Sequence, residues 1–213
     1  MSLTSSIIGQ INTQYSNVVF ADSLYATKKI VGLAWPYPEK RGSDTLIKIV
    51  PATYQLDKNG EGDMIDLNDD HALIMYHKVT SDTYQLLQKG GTGDNYLQQH
   101  TIDITMTVWA QRNQIFMQPD DLNDILIKGM PVGIASMPGI VRCTIIPVST
   151  DYDFVSIFRR EFAQVNYFLK PNQMLLQVKY RVSLLIDPKC LALGVYSGTI
   201  IFTEDGQAIY TES

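Results

Sequence analysis

Residues 89–96, KGGTGDNY, place three glycines within four positions ahead of an aspartate. A chain uses such spacing either to close its amides around a phosphate or simply to turn. A phosphate loop of the G-x-x-x-x-G-K-[ST] kind needs a lysine to reach the outer phosphates, a hydroxyl for magnesium and a following helix whose amides face the anion. Neither residue follows Gly93, and the next stretch alternates like a strand. A dinucleotide-binding G-x-G-x-x-G fails for the same reason. The segment reads as a flexible connector over residues 88–96.

Residues 57–68, DKNGEGDMIDLN, follow the opening of an EF-hand calcium loop: Asp57, Asn59 and Glu61 take the first ligand places, Gly62 the turn and Met64 the apolar place. The twelfth place is Asn68, where a bidentate glutamate should close the oxygen shell. The flanks also read as strands, so the expected structure is a hairpin turning on Asn59-Gly60, with a degenerate calcium loop as the alternative. His71, His77 and His100 are the only histidines. His71 and His77 would stand roughly 20 Å apart on one strand, too far to share a metal. Cys143 and Cys190 have neither the number nor the spacing of a disulfide framework or zinc site. The acid pairs in DDLNDI and STDYDF lie at helix starts, where carboxylates are favoured whatever the function. No catalytic, cofactor-binding or metal-binding residue is assigned, no cofactor is expected, and the chain is read as not an enzyme.

The 213 residues are 45% hydrophobic and 18% charged, with a formal net charge of −5. Typical domains carry about 25% charged residues, so this chain is lightly charged, as surfaces that meet other protein are. The acidic balance removes the electrostatic footprint of a nucleic-acid binder. No apolar window is long enough to span a bilayer, and the start, MSLTSSIIGQ, lacks the pattern of a secretory signal.

The elements that would position these residues follow from periodicity. Ile7, Ile8, Ile11, Tyr15, Val18 and Val19 recur at helical spacing behind Thr4 or Ser5, predicting an N-terminal helical segment over 1–25 that packs on its own domain or reaches a neighbour. WPYPEKRGSD marks an exposed loop over 34–45. Strict alternation predicts strands over 101–110 and 174–186, and shorter runs predict strands over 46–56, 72–79, 141–148 and 198–203. QPDDLNDILIKGM and DYDFVSIFRREF read as helices, the first opened by Pro119 and closed at Gly129. The fold class is α+β: one domain over 1–213, mainly antiparallel sheet, with the N-terminal helix and two or three short helices packed on it.

The order ITMTVWAQRN, PDDLNDILIKG, VRCTIIPVSTDYDF, RREF and PNQMLLQVKYRVSLLI, over about residues 101–186, resembles head-to-tail connector and tail ring proteins of tailed bacteriophages, including crAss-like phages. The resemblance implies a virion structural protein, made in the host cytoplasm. It would form a homo-oligomeric ring in the neck or tail that joins other virion proteins around the DNA channel, passing DNA without recognising it and touching no membrane. The competing expectation is a soluble β-rich protein- or ligand-binding module of a host cell.

Overall fold

A computed structural model describes residues 3–22, 25, 27–39, 48–56, 62–65, 70–88, 96–134, 137, 139–162, 170–187, 200–202 and 208–210. The framework is a seven-stranded sheet in the order β3-β2-β1-β4-β5-β7-β6. Its strands are β1 (Lys28–Glu39), β2 (Lys48–Leu56), β3 (Gly62–Met64), β4 (Leu73–Gln88), β5 (Tyr96–Gln111), β6 (Ile140–Asp151) and β7 (Gln173–Ile186). Every neighbouring pair is antiparallel except β1 and β4. Helices α1 (Leu3–Gln14), α2 (Arg112–Ile115), α3 (Pro119–Gly129) and α4 (Phe154–Glu161) complete it. The architecture is the strand-dominated α+β class that the alternation indicates.

The alternation of β5 and β7 divides the core between the two faces. Even positions from Ile102 to Ala110 and from Met174 to Ile186 point to one side, where they meet Ile7, Ile8, Ile11 and Tyr15 from the N-terminal segment and Leu122 and Leu126 from α3. On the opposite face Ile74, Tyr76, Trp109 and Leu175 pack with Val31, Ala34 and Ile65 beneath Ile157 of α4. The other odd positions of β5 and β7, among them Thr101, Asp103, Lys179, Arg181 and Ser183, leave the remainder of that face polar. The apolar stripe of the N-terminal segment therefore packs on its own core.

Its stripe departs from the α-helical spacing at one point. Tyr15–Val19 is a π-helical turn, whose wider winding moves residue 18 off the apolar face. Val18 is 64% exposed, while Phe20 is fully buried and lies over Tyr15 with ring centroids 5.8 Å apart.

The loop expected over 34–45 starts later than its prolines indicate, because residues 34–39 belong to β1. Pro36 and Pro38 pair in register with Pro51 and Ile49 of β2. The last rung between β1 and β4 is Leu33 with His77, so the prolines occupy a stretch paired on one side, where a missing N–H removes no ladder bond. Residues 40–47 lie outside the described residues. So do 57–61 and 66–69; the described flanks of that stretch are β2 and β3, joined antiparallel with Leu56 opposite Gly62. Residues 88–96 are also divided, since Gln88 ends β4, Tyr96 opens β5 and 89–95 lie outside the description.

Short C-terminal strands β8 (Ile200–Phe202) and β9 (Ala208–Tyr210) pair antiparallel in a second, two-stranded sheet.

Candidate interaction surfaces

The three histidines occupy three separate settings. His71 Nδ1 lies 3.0 Å from the carbonyl of Thr27 at the entrance to β4. His77 is fully buried on the helical face between α1 and β7, and desolvation pushes its pKa down to about 3. His100 is buried near the outer end of β5, paired with Asp82 across the β4–β5 ladder and stacked on Tyr84, with ring centroids 4.0 Å apart. Among the described residues no group of three His, Cys, Asp or Glu side chains is placed to hold a metal ion. Cys143 is half-buried against the helical-face core, and burial raises its thiol pKa; such a thiol stays protonated and unreactive.

A polar network lies under α4. Asp153 caps this helix by accepting from the backbone N–H of Ser156 at 3.0 Å, a bond that holds its carboxyl below the usual range. The helix thereby presents Ile157 to the core and Glu161 to the sheet. Glu161 accepts from Lys78, from the Tyr76 hydroxyl at 3.3 Å and from Gln177 Nε2 at 3.1 Å. Gln177 Nε2 also lies 3.0 Å from Thr107 Oγ1. Each of these donors meets an acceptor within the chain, so the cluster pins α4 to the sheet.

Beyond α4 the polar face is open. Arg181 forks onto Asp103, Nε to Oδ1 at 2.6 Å and a terminal nitrogen to Oδ2 at 3.0 Å, which lowers the Asp103 pKa. Next to this pair an open groove of about 320 Å³ is lined by Gln99, Arg142, Thr144, Ser183, Leu184 and Leu185. The opposite surface has the other sign: α3 carries Asp120, Asp121 and Asp124, and Lys128 pairs with Asp124 at 2.9 Å.

The most exposed framework is the outer half of the β4–β5 hairpin. The rungs Asp82–Ile102, Tyr84–His100, Leu86–Gln98 and Gln88–Tyr96 continue past the last rung between β4 and β1. Residues 81–86 are all exposed; Tyr84 is 60% and Leu86 69% accessible. Tyr84, Leu86 and Tyr96 share the helical face of the sheet by their register. The periodic run in 72–79 announces only the inner half of β4. The outer half, SDTYQLLQ, mixes polar and apolar residues without strict alternation, because no helix among the described residues covers it and residues 81–86 are all exposed.

The opposite edge is guarded. Ile145 N–H donates to the carbonyl of Val132 at 2.9 Å, so the segment after α3 lies along β6. The rest of β6 is interrupted by register shifts at Ile140/Arg142 and Pro147/Ser149. Bulges and prolines are standard guards of a sheet edge. Among the described residues no helix is long and apolar enough to cross a membrane. Neither a known family model nor a curated protein sequence matches the chain.

Proposed function

We propose that this chain is a non-enzymatic structural protein of a tailed-bacteriophage virion. It would be a subunit of a homo-oligomeric ring in the neck or tail through which DNA passes, assembled in the host cytoplasm. The observation that carries this reading is the outer half of the β4–β5 hairpin, a projecting ladder that forms an arm with exposed Tyr84, Leu86 and Tyr96 and, past the last rung with β1, no partner strand on its β4 side among the described residues. Large apolar side chains grouped on a projecting sheet mark a surface used by other protein.

The two broad surfaces also differ, one acidic along α3 and one carrying Arg142 and Lys179 on open sheet. A ring requires each subunit to offer two different patches, since heterologous contacts close only when one patch meets the other. Light scattering coupled to size-exclusion chromatography, followed by electron microscopy of the purified protein, tests the reading. A closed ring of defined copy number is the expected result, and a monomer at every concentration overturns it.

The groove beside Arg142 supports a second reading, a β-rich binding module. Its walls offer a guanidinium, two hydroxyls and an amide around one opening. Under that reading the protein is monomeric, and Arg142→Ala removes its ligand binding without changing its size.

A further inference from the structure

Among the described residues the outer half of β4 forms an unguarded edge past its last rung with β1. β6 is covered at Ile145 and interrupted by shifts, whereas residues 81–88 of β4 form eight consecutive positions containing neither proline nor lysine. Among the described residues they pair only with β5. Exposed edge strands of this length template the addition of another strand.

The chain also contains strands that lack a sheet large enough to hold them. β8 and β9 form a two-stranded unit of three rungs, Ile200–Tyr210, Ile201–Ile209 and Phe202–Ala208. An isolated two-stranded hairpin is marginal in water and needs a third strand. Isoleucine, phenylalanine and tyrosine are strong strand formers, so the sequence is suited to docking on an existing edge.

We infer that the β8–β9 hairpin of one copy adds to the outer half of β4 in a second copy, extending the second copy's sheet. The chain leaves the main sheet at the right place, because Ile186 lies on the same row as Gln98 and Leu86, near the turn end of the hairpin. Residues 188–199 follow; 12 residues span at most about 40 Å, while two strand spacings from β7 to the β4 edge come to roughly 10 Å. The hairpin could therefore reach its own edge, yet in the single chain it makes a sheet of its own. Exchange between copies supplies both missing partners, and the donor and acceptor are different parts of the subunit, as a heterologous ring contact requires. The inference rests on the ring reading and names the contact that would close it.

The test places Gln85→Cys in one copy and a cysteine at Ile200, Ile201, Ala208 or Ile209 in another, each with Cys143→Ser and Cys190→Ser. Oxidising equal mixtures should give cross-linked dimers for at least one position, and chains carrying both cysteines should give ladders. A cross-link confined within one chain, or none across the scan, overturns the exchange. Hydrogen exchange on the unmodified protein gives the same answer if a variant misfolds: among residues 81–88, the amides that point away from β5 should be protected in the full chain and lose protection in a chain ending at Asp187. A chain ending at Asp187 that still forms rings with those amides protected removes the exchange and leaves the ring. A full-length monomer with unprotected amides removes both.

Discussion

The hydroxyl of Tyr180 lies 3.0 Å from Nδ1 of His77 in the buried layer between α1 and the sheet. The other ring nitrogen, Nε2, is 2.8 Å from Oδ1 of Asn12, whose Nδ2 donates to the carbonyl of Val31 at 3.3 Å. With the Asn12 amide turned that way, Oδ1 accepts from Nε2–H, and Nδ1 accepts from Tyr180. A neutral imidazole thus links α1, β4, β7 and β1 in one chain of hydrogen bonds. A protonated ring would have to donate from Nδ1–H to the Tyr180 oxygen, leaving the buried phenol O–H without its acceptor, in a site where no counter-charge lies within hydrogen-bonding distance among the described residues.

The first prediction concerns acid. The folded-state pKa of His77, about 3, lies below the ordinary histidine value of 6.5, so between these values the unfolded chain binds a proton that the native one does not. Its contribution is fully present above pH 6.5 and is lost as pH falls toward 3, with a slope of about 1.4 kcal/mol per pH unit. Urea midpoints at pH 7, 6 and 5 should fall steadily in the natural protein. In His77→Gln the curve should begin lower and run flatter; an unchanged slope would rule out His77 as its source.

The second prediction uses two glycines. Gly9 sits in α1 with nothing near the position of an added Cβ. Gly9→Ala should therefore raise stability by about 0.5–1 kcal/mol. At Gly129 an added Cβ would collide with Cγ2 of Val19 and stand 3.4 Å from the Tyr15 ring. Valine is stiff at χ1, so Gly129→Ala should cost about 1–3 kcal/mol. Removal of residues 1–19 should abolish cooperative unfolding altogether, since it strips Ile7, Ile8, Ile11 and Tyr15 from the core. Denaturant titration followed by tryptophan fluorescence measures all three.

A third prediction concerns Glu161, whose carboxylate faces Lys78, Tyr76 and Gln177 on the second face. Glu161→Ala leaves these donors without their acceptor and should cost about 3 kcal/mol, whereas Glu161→Gln keeps one acceptor oxygen and should cost less. Equal losses in thermal unfolding would show that the network does not hold α4.

What was legible in the sequence was whatever one face of an element imposes on it. β7 shows alternation over its full length because its even positions are all buried, and α3 shows its limits in Pro119 and Gly129. The outer half of β4, the prolines within β1 and the π-helical turn at Tyr15 left no such trace. The first has little burial to impose a period, the second is a strand of residues that ordinarily mark loops, and the third shifts a stripe by a single residue. The candidate surface was hidden for the same reason: side chains that would meet a partner answer to that partner's surface and not to the period of the element that carries them.

The last prediction separates folding from assembly. Leu86 is 69% exposed and Val178 fully buried. Val178→Asp places an unpaired charge within the helical-face core and should prevent folding. Leu86→Lys changes only a solvated side chain of the arm, so its thermal midpoint should stay close to that of the natural protein, within the roughly 0.5 kcal/mol typical of surface substitutions. It also puts a charge on an unguarded edge, a device by which sheets refuse further strands. If the arm is where subunits meet, Leu86→Lys should elute at the mass of a single chain while retaining the circular dichroism of the folded protein. A variant that is folded and still assembles to the natural size would remove the arm from the interface, and the groove beside Arg142 would become the surface to pursue.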